Sequence, residues 1–222
     1  MAKIEQKRSR WPLTIRLTAI ILFIAVLVAF RFVDDIGYEG QSDERFVVVR
    51  VVDGDTFEMT GGDRVRLLSI DTPEKGEPYY EKAKQFLADL VLGKAVRIEY
   101  ASRRRDKYGR LLAYVYIDSI FVNRAILKNG LGNLYLFKDT DVDRDETTIL
   151  LNAQRSALKQ RIALWSVKRE KEDYYIARPG SYRFHRPSCS NLKKSNAADN
   201  VIFKNREDAL WKGLSPCRRC KP

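Results

Sequence analysis

The chain has 222 residues, 45% of them hydrophobic, and 41 Lys and Arg against 29 Asp and Glu give it a net charge of +12. That length and apolar content suffice to bury a core and exclude a disordered polypeptide, and 3 Cys exclude a disulfide-dense mini-protein. A single His excludes any mechanism that needs two imidazoles from one chain. The charge lies at the two ends: residues 1–16 carry a net +4, residues 168–222 a net +8, and the 22 basic and 22 acidic residues between them cancel. The middle is therefore not a uniformly basic surface for nucleic acid, and each end needs its own explanation.

The N-terminal end reads as a membrane anchor. Leu17 to Phe30 contains no charge, and Trp11 to Val33 as a helix spans about 30 Å of hydrocarbon with Arg16 and Arg31 snorkelling to the interfaces. Basic residues precede the run, and Asp34, Asp35 and Glu39 follow it, so the N-terminus is expected in the cytoplasm and the rest outside the cell membrane. Ala29-Phe30-Arg31 is a poor cleavage site, which favours an uncleaved single-pass anchor (residues 1–33) over a secreted protein released by signal cleavage. Residues 34–45, with Gly37, Gly40 and Ser42, read as a linker.

From residue 46 the pattern alternates between strands and helices. Phe46–Val52, Thr56–Met59 and Val65–Ile70 suit strands, with Gly61-Gly62-Asp63 as a turn. Ala83, Phe86, Leu87, Leu90 and Val91 form one apolar helix face behind Pro78 and ahead of Gly93. Ala95–Ala101 and Leu111–Ile117 are two more strands, and Phe121–Asn129 is a short helix ended by Gly130. Asp143 and Glu146 resemble a capping box that opens a long helix with Leu150, Ala153, Ala157 and Leu164 on one stripe. Five short strands with late helices fit an α+β fold, a five-stranded OB-fold β-barrel with about three helices over residues 46–167, although composition alone does not choose it over other α+β layouts.

Three motifs carry chemistry. Val52-Asp53-Gly54-Asp55-Thr56 sets two carboxylates about a Gly, Arg66-Leu67-Leu68-Ser69-Ile70-Asp71-Thr72-Pro73-Glu74 is an apolar strand between an Arg and two acids, and Asp106-Lys107-Tyr108-Gly109-Arg110 is a charged hairpin tip. Singly they read as a turn, a helix entry and a solvated hairpin. Together they meet the requirements of phosphodiester hydrolysis: hard oxygen ligands for a cation such as Ca²⁺ (Asp55, Asp71), a carboxylate to take a proton from water (Glu74), and guanidinium forks for phosphate (Arg66, Arg110). Neither His nor Cys lies near them, which argues against zinc or heme there.

In this order and approximate spacing the motifs resemble the micrococcal (staphylococcal, thermonuclease) nuclease family over about Phe46 to Ser166. The resemblance implies an OB-fold barrel and calcium-dependent cleavage of DNA and RNA. It further implies that Asp55, Asp71 and the Thr72 carbonyl ligate calcium, with Asp53 in its outer sphere. Glu74 is then the general base, Arg66 and Arg110 clamp the phosphate, and Lys107 and Tyr108 touch a terminal phosphate. The nucleotide-stacking aromatic falls within Leu134-Tyr135-Leu136-Phe137, where the register shifts by one and Tyr135 is the choice. The loop Lys75-Gly76-Glu77 is short for the family, with consequences for access by long or duplex substrates.

The last segment, residues 168–222, holds the only His and every Cys as His185-x3-Cys189 and Cys217-x2-Cys220, which suits one closed tetrahedral Zn²⁺ site stapling a small αβ module. Val201–Phe203 reads as a strand, and Asn205 caps a helix over Arg206–Lys212. His185-Arg186-Pro187-x-Cys189 and Pro216-Cys217-Arg218-Arg219-Cys220 resemble the Ada-type zinc-binding domain of the bacterial methylphosphotriester DNA-repair protein. His185 stands where that family generally has a first Cys, so methyl transfer is not carried over. A disulfide or redox Cys-x-x-Cys is the competing reading. The basic tail suits a nucleic-acid backbone, and a solvated surface or anionic lipid is the alternative. The expectation is a membrane-anchored calcium-dependent nuclease with a zinc-binding-like module; the alternative is a non-catalytic, membrane-anchored nucleic-acid-binding protein, for example in DNA capture.

Overall fold

In the computed structural model the described residues are 46–137, 145–193 and 197–222. The expected anchor and linker, together with Asp143 of the capping box, lie outside them. Among the described residues no helix is long and apolar enough to cross a membrane.

The barrel follows from the strand register. Strand β1 (Phe46–Asp53) turns through Gly54-Asp55 into antiparallel β2 (Thr56–Met59), which pairs with β3 (Arg64–Leu67) across the two-glycine turn. β3 runs parallel to β6 (Leu111–Ile117), β6 pairs antiparallel with β5 (Ala95–Arg105), and β5 returns to β1 at Phe46↔Val96. That circuit closes a five-stranded OB-type barrel. Its core includes Val48, Phe57, Met59, Leu67, Tyr114 and Val115, with β6 buried on both of its faces.

Two departures from the expected elements matter for function. Val65–Ile70 is not one strand. Ser69 adopts a left-handed backbone (φ 59°), and its hydroxyl bonds the Tyr114 hydroxyl at 3.1 Å. The chain therefore leaves the barrel wall, and β4 (Ile70–Asp71) pairs instead with β8 (Asn133–Leu134), which carries Asp71 to the rim. The stripe through Leu164 is also interrupted. Helix α3 (Asp145–Gln160) buries Leu150, Ala153 and Ala157, but left-handed Arg161 (φ 51°) ends the run, and Leu164 sits in a 3-10 turn whose amide donates to the Gly130 carbonyl at 3.1 Å.

Helix α1 (Tyr80–Val91) packs Ala83, Leu87 and Val91 on the barrel, starting two residues beyond Pro78, and α2 (Val122–Lys128) follows the hairpin strand β7 (Ile120–Phe121). The C-terminal segment forms a second sheet in the order β11 (Val201–Phe203), β9 (Tyr175–Ala177), β10 (Arg183–His185), β12 (Ser215–Pro216), with α4 (Arg206–Trp211) beside it. Asn205 caps α4 as expected, its side-chain oxygen accepting from the Asp208 amide at 2.8 Å. This sheet's small core of Tyr175, Phe184, Ala209 and Leu210 also takes in Leu158 of α3 and Trp165, so the module and the barrel share a packed seam.

Gln154 pins that seam. It is fully buried; its oxygen accepts from the Leu134 amide at 2.7 Å and its amide donates to the Leu210 carbonyl at 2.9 Å. Gln154→Ala would leave both backbone groups buried without partners, at about 1–3 kcal/mol each. A fall in the denaturation midpoint, read by the Trp211 and Trp165 fluorescence of the module side, is expected; an unchanged midpoint would refute the role.

Candidate active site at the barrel rim

The turn between β1 and β2 brings Asp53 and Asp55 to the barrel end, and only Gly fits between them. A Cβ on Gly54 would come within 2.7 Å of both the Ala83 Cβ and the Thr72 hydroxyl, so the close approach of this turn to Thr72 needs the bare backbone. Asp55 is buried. One of its oxygens accepts from the Thr72 amide at 3.0 Å and the Thr72 hydroxyl at 3.1 Å, and the other from the Thr56 hydroxyl at 3.1 Å and Arg66 Nε at 3.0 Å. Asp53 accepts from the Asp55 amide at 3.1 Å.

Arg66 is the hub. At 8% exposure, its Nη2 donates to the Ile70 carbonyl at 2.8 Å and to Asp71 at 3.2 Å, while Nη1 donates to the Leu67 carbonyl. The sequence reading gave Arg66 to the phosphate; the structure commits most of its hydrogens to holding the two aspartates and the kinked strand end in place. Arg110 is more available. Its Nε and Nη2 clasp Asp106 at 2.9 and 2.8 Å and its Nη1 reaches the Thr56 hydroxyl at 3.4 Å, and these bonds leave a hydrogen on each Nη. Burial by itself would raise the Asp106 pKa, but Arg110 and the amides of Tyr108 and Arg110 outweigh it and hold Asp106 ionised.

Thus Asp53, Asp55, Asp71, Thr72, Arg66 and Arg110 form one connected network. Glu74 is exposed and lines a cavity of about 330 Å³ together with Asp71, Thr72, Glu77, Arg218 and Lys221. Lys107 and Tyr108 stand outside the network on the hairpin tip, Tyr108 at 71% exposure with the Arg110 guanidinium 5.6 Å from its ring centre. Tyr135 faces the C-terminal module: the Arg183 guanidinium lies 3.5 Å from its ring centre and that of Arg218 lies 4.9 Å away.

Sequence reasoning missed Arg218. It pairs with both Asp71 oxygens, through Nη2 to one and through Nε at 3.3 Å to the other. Its neighbour Lys221 pairs with Glu77. Arg218 stood in a recognised Cys-Arg-Arg-Cys motif, but nothing in the sequence linked that motif to an aspartate 147 positions away.

Burial raises the Asp71 pKa above the ordinary carboxylate value, although Arg218 and Arg66 both pull it down. Burial, and then the Asp55 charge, raise that of Asp53. The donor set is all oxygen, which fits a hard cation.

The module holds a second cluster. The ligand atoms of His185, Cys189, Cys217 and Cys220 lie within 4.8 Å of one another. His185 is 2% exposed, and neither ring nitrogen has a hydrogen-bond partner. Burial, then Arg178 and Arg183, lower its pKa and keep the imidazole neutral, the state that ligates a metal. The thiols are unbridged. The Arg186 amide and the Asn191 side chain each approach a sulfur at 3.4 Å, on Cys220 and Cys217 respectively.

Comparison with known proteins identifies the family. The pattern of the family described as "Staphylococcal nuclease homologue" matches residues 64–167. Thermonuclease of Staphylococcus intermedius is 34% identical over 161 residues, covering 66% of this chain and 94% of that relative. The chain belongs to the staphylococcal nuclease family. An uncharacterized endonuclease of Escherichia coli O157:H7 is 37% identical over 123 residues, covering 54% of this chain and 75% of that protein, and endonuclease YncB of Bacillus subtilis is 34% identical over 128 residues, covering 53% and 59%. As a staphylococcal nuclease homologue the chain is a phosphodiester-hydrolysing nuclease. The family pattern ends at residue 167, so the second sheet and its His/Cys cluster lie beyond it.

A stability test follows from Asp53. A carboxyl whose folded pKa is raised stabilises the fold below its unfolded value, and that contribution is lost as the pH rises through the folded value. At neutral pH the Asp53 charge therefore destabilises the metal-free protein, and Asp53→Asn, which keeps the acceptor oxygen, should raise its Tm. The gain should vanish below pH ~4, where the unfolded carboxyl is also protonated. An equal Tm at neutral pH would contradict the assignment.

Proposed function

We propose that this protein is a calcium-dependent nuclease acting on DNA, RNA or both, with a zinc-stapled C-terminal module. The observation that carries the reading is the convergence of Asp55, Asp71, Arg66 and Arg110 in one hydrogen-bonded network beside the cavity lined by Glu74. In this reading Asp55, Asp71 and the Thr72 carbonyl would hold the cation, Asp55 and Asp71 exchanging some of their present donors for it, and Asp53 would order its hydration. Bound calcium supplies Lewis-acid polarisation of a phosphoryl oxygen.

The remaining chemistry belongs to the side chains. Glu74, exposed on the cavity wall, accepts a proton from the attacking water as the water oxygen bonds to phosphorus and the bond to the leaving sugar oxygen breaks, the leaving oxygen taking a proton from solvent water. Arg110 turns its uncommitted hydrogens to the non-bridging oxygens, where negative charge grows in the transition state. Arg66 keeps Asp55 and Asp71 aimed, so its effect on phosphate passes largely through them. Lys107 and Tyr108 extend contact along the strand, and residues 1–33 anchor the catalytic unit on the extracytoplasmic side of the membrane.

Glu74→Gln should lower kcat by about 10²–10⁴ on single-stranded DNA in calcium. Cleavage at the wild-type rate would remove Glu74 from the base role. Binding of DNA by the wild-type chain without any cleavage in calcium would favour the non-catalytic capture protein instead.

Zinc fits the second cluster on two counts: a buried His with both nitrogens unpartnered, and three sulfurs gathered with it, two of them approached by polar donors. Elemental analysis of reduced, purified protein should return one zinc per chain, and Cys217→Ser should abolish it and lower the Tm of the module. Metal-free protein with a Cys217–Cys220 disulfide would sink the staple.

A further inference from the structure

One concave surface of the C-terminal module takes no part in the chemistry above. It is a cavity of about 300 Å³ lined by Tyr135, Arg178, Arg183, Asn191, Arg218 and Arg219, with His185 and Cys217 at its back and no carboxylate among the described residues of its lining. The four guanidinium groups come from two places. Arg178 and Arg183 flank the turn between β9 and β10, closed by the Ser181 amide donating to the Arg178 carbonyl at 3.0 Å. Arg218 and Arg219 are the two residues between Cys217 and Cys220.

Arg183, Arg218 and Arg219 are held by hydrogen-bond partners, and Arg178 is exposed at the turn. Arg183 donates to the Tyr182 carbonyl at 3.0 Å and the Ser215 hydroxyl at 2.9 Å while lying over the Tyr135 ring. Arg219 donates to the Ser190 hydroxyl at 3.1 Å. Four like charges around one hollow repel each other, and an anion seated among them removes that repulsion. Planar, preorganised forks match phosphate oxygens in shape as well as charge. The position of the hollow then selects among phosphates, because Arg218 lines it and also touches Asp71 of the catalytic network.

The geometry points to a second phosphate subsite: the four-arginine hollow takes a phosphodiester of the same nucleic-acid strand that is cut at Asp71, so the module lengthens the substrate groove. This rests on the nuclease reading, since it names where the strand runs after leaving the cut site. Contact with the backbone confers length preference and salt dependence and reads no sequence.

Two charge reversals outside the metal ligands test it, Arg178→Glu and Arg219→Glu, made in the full chain with its zinc content checked. On a 15-nucleotide single-stranded DNA each should raise KM about tenfold at unchanged kcat, as expected for lost uniform binding. On a dinucleotide, too short to reach the hollow, both parameters should stay at wild-type values. The slope of log affinity against log salt, from fluorescence anisotropy of the same 15-mer on a Glu74→Gln background without calcium, should fall by about 0.7 for each phosphate contact removed. Because the anisotropy needs no cleavage, a wild-type chain that fails to cut DNA would refute the nuclease reading while the binding result still judges the hollow. Unchanged 15-mer affinity in both variants would overturn the subsite, as would equal KM increases on the 15-mer and the dinucleotide. Loss of binding to phosphatidylglycerol vesicles with DNA affinity intact would also overturn it and assign the hollow to lipid headgroups.

Discussion

The Arg66 guanidinium reaches Asp55, Asp71 and the carbonyls of Leu67 and Ile70 at once, and this shared bonding lets a small barrel hold two aspartates together at one end. Removing one partner of a buried pair leaves an uncompensated charge, at about 3–5 kcal/mol, so the network stands or falls together. Its geometry is set by pairing register. β3 places Arg66 opposite Thr56, next to Asp55, and the left-handed Ser69 bends the chain so that Asp71 returns to the same guanidinium. A slip of one residue in the β2–β3 pairing would turn Arg66 to the opposite face and separate all of these groups.

The second module is part of this rim. Apolar packing against α3 and the two buried bonds of Gln154 supply the adhesion. The exposed Lys221–Glu77 pair adds little energy but fixes where the Cys217–Cys220 turn meets the acidic cluster. The consequence is chemical: a side chain beyond the family pattern touches a side chain inside it. The zinc proposed above would stiffen the turn that carries Arg218 and so connect the two sites without a shared ligand.

The barrel and its motif residues were legible because both rest on local rules. Alternating apolar residues and turn glycines marked the strands, and the acids and arginines sat at fixed offsets from them. The gathering of His185, Cys189, Cys217 and Cys220 was legible from residue type and spacing alone. The break at Ser69 was not, because a non-glycine residue in a left-handed conformation is imposed by tertiary partners, here Tyr114 and β8. The split of labour between Arg66 and Arg110 was hidden for a similar reason: the sequence gives both the same fork, and only burial shows which one is spent on holding the site. Arg218 was illegible as a neighbour of Asp71, since no periodicity or motif spans the two modules.

The electrostatics of the seam follow from these placements. On the barrel side, Asp53 and Asp71 are harder to ionise than ordinary carboxylates, Asp71 even with two guanidinium groups beside it, so burial there is only partly compensated, and the calcium proposed above would complete it. On the module side, four arginines face a hollow with no acid among the described residues of its lining. Arg218 stands at the border and belongs to both. In the proposed reading a nucleic-acid strand would satisfy the two halves together, offering phosphoryl oxygens to a metal on one side and further anionic groups to the arginines on the other. A neutral ligand satisfies neither, and a lone divalent cation satisfies only the first.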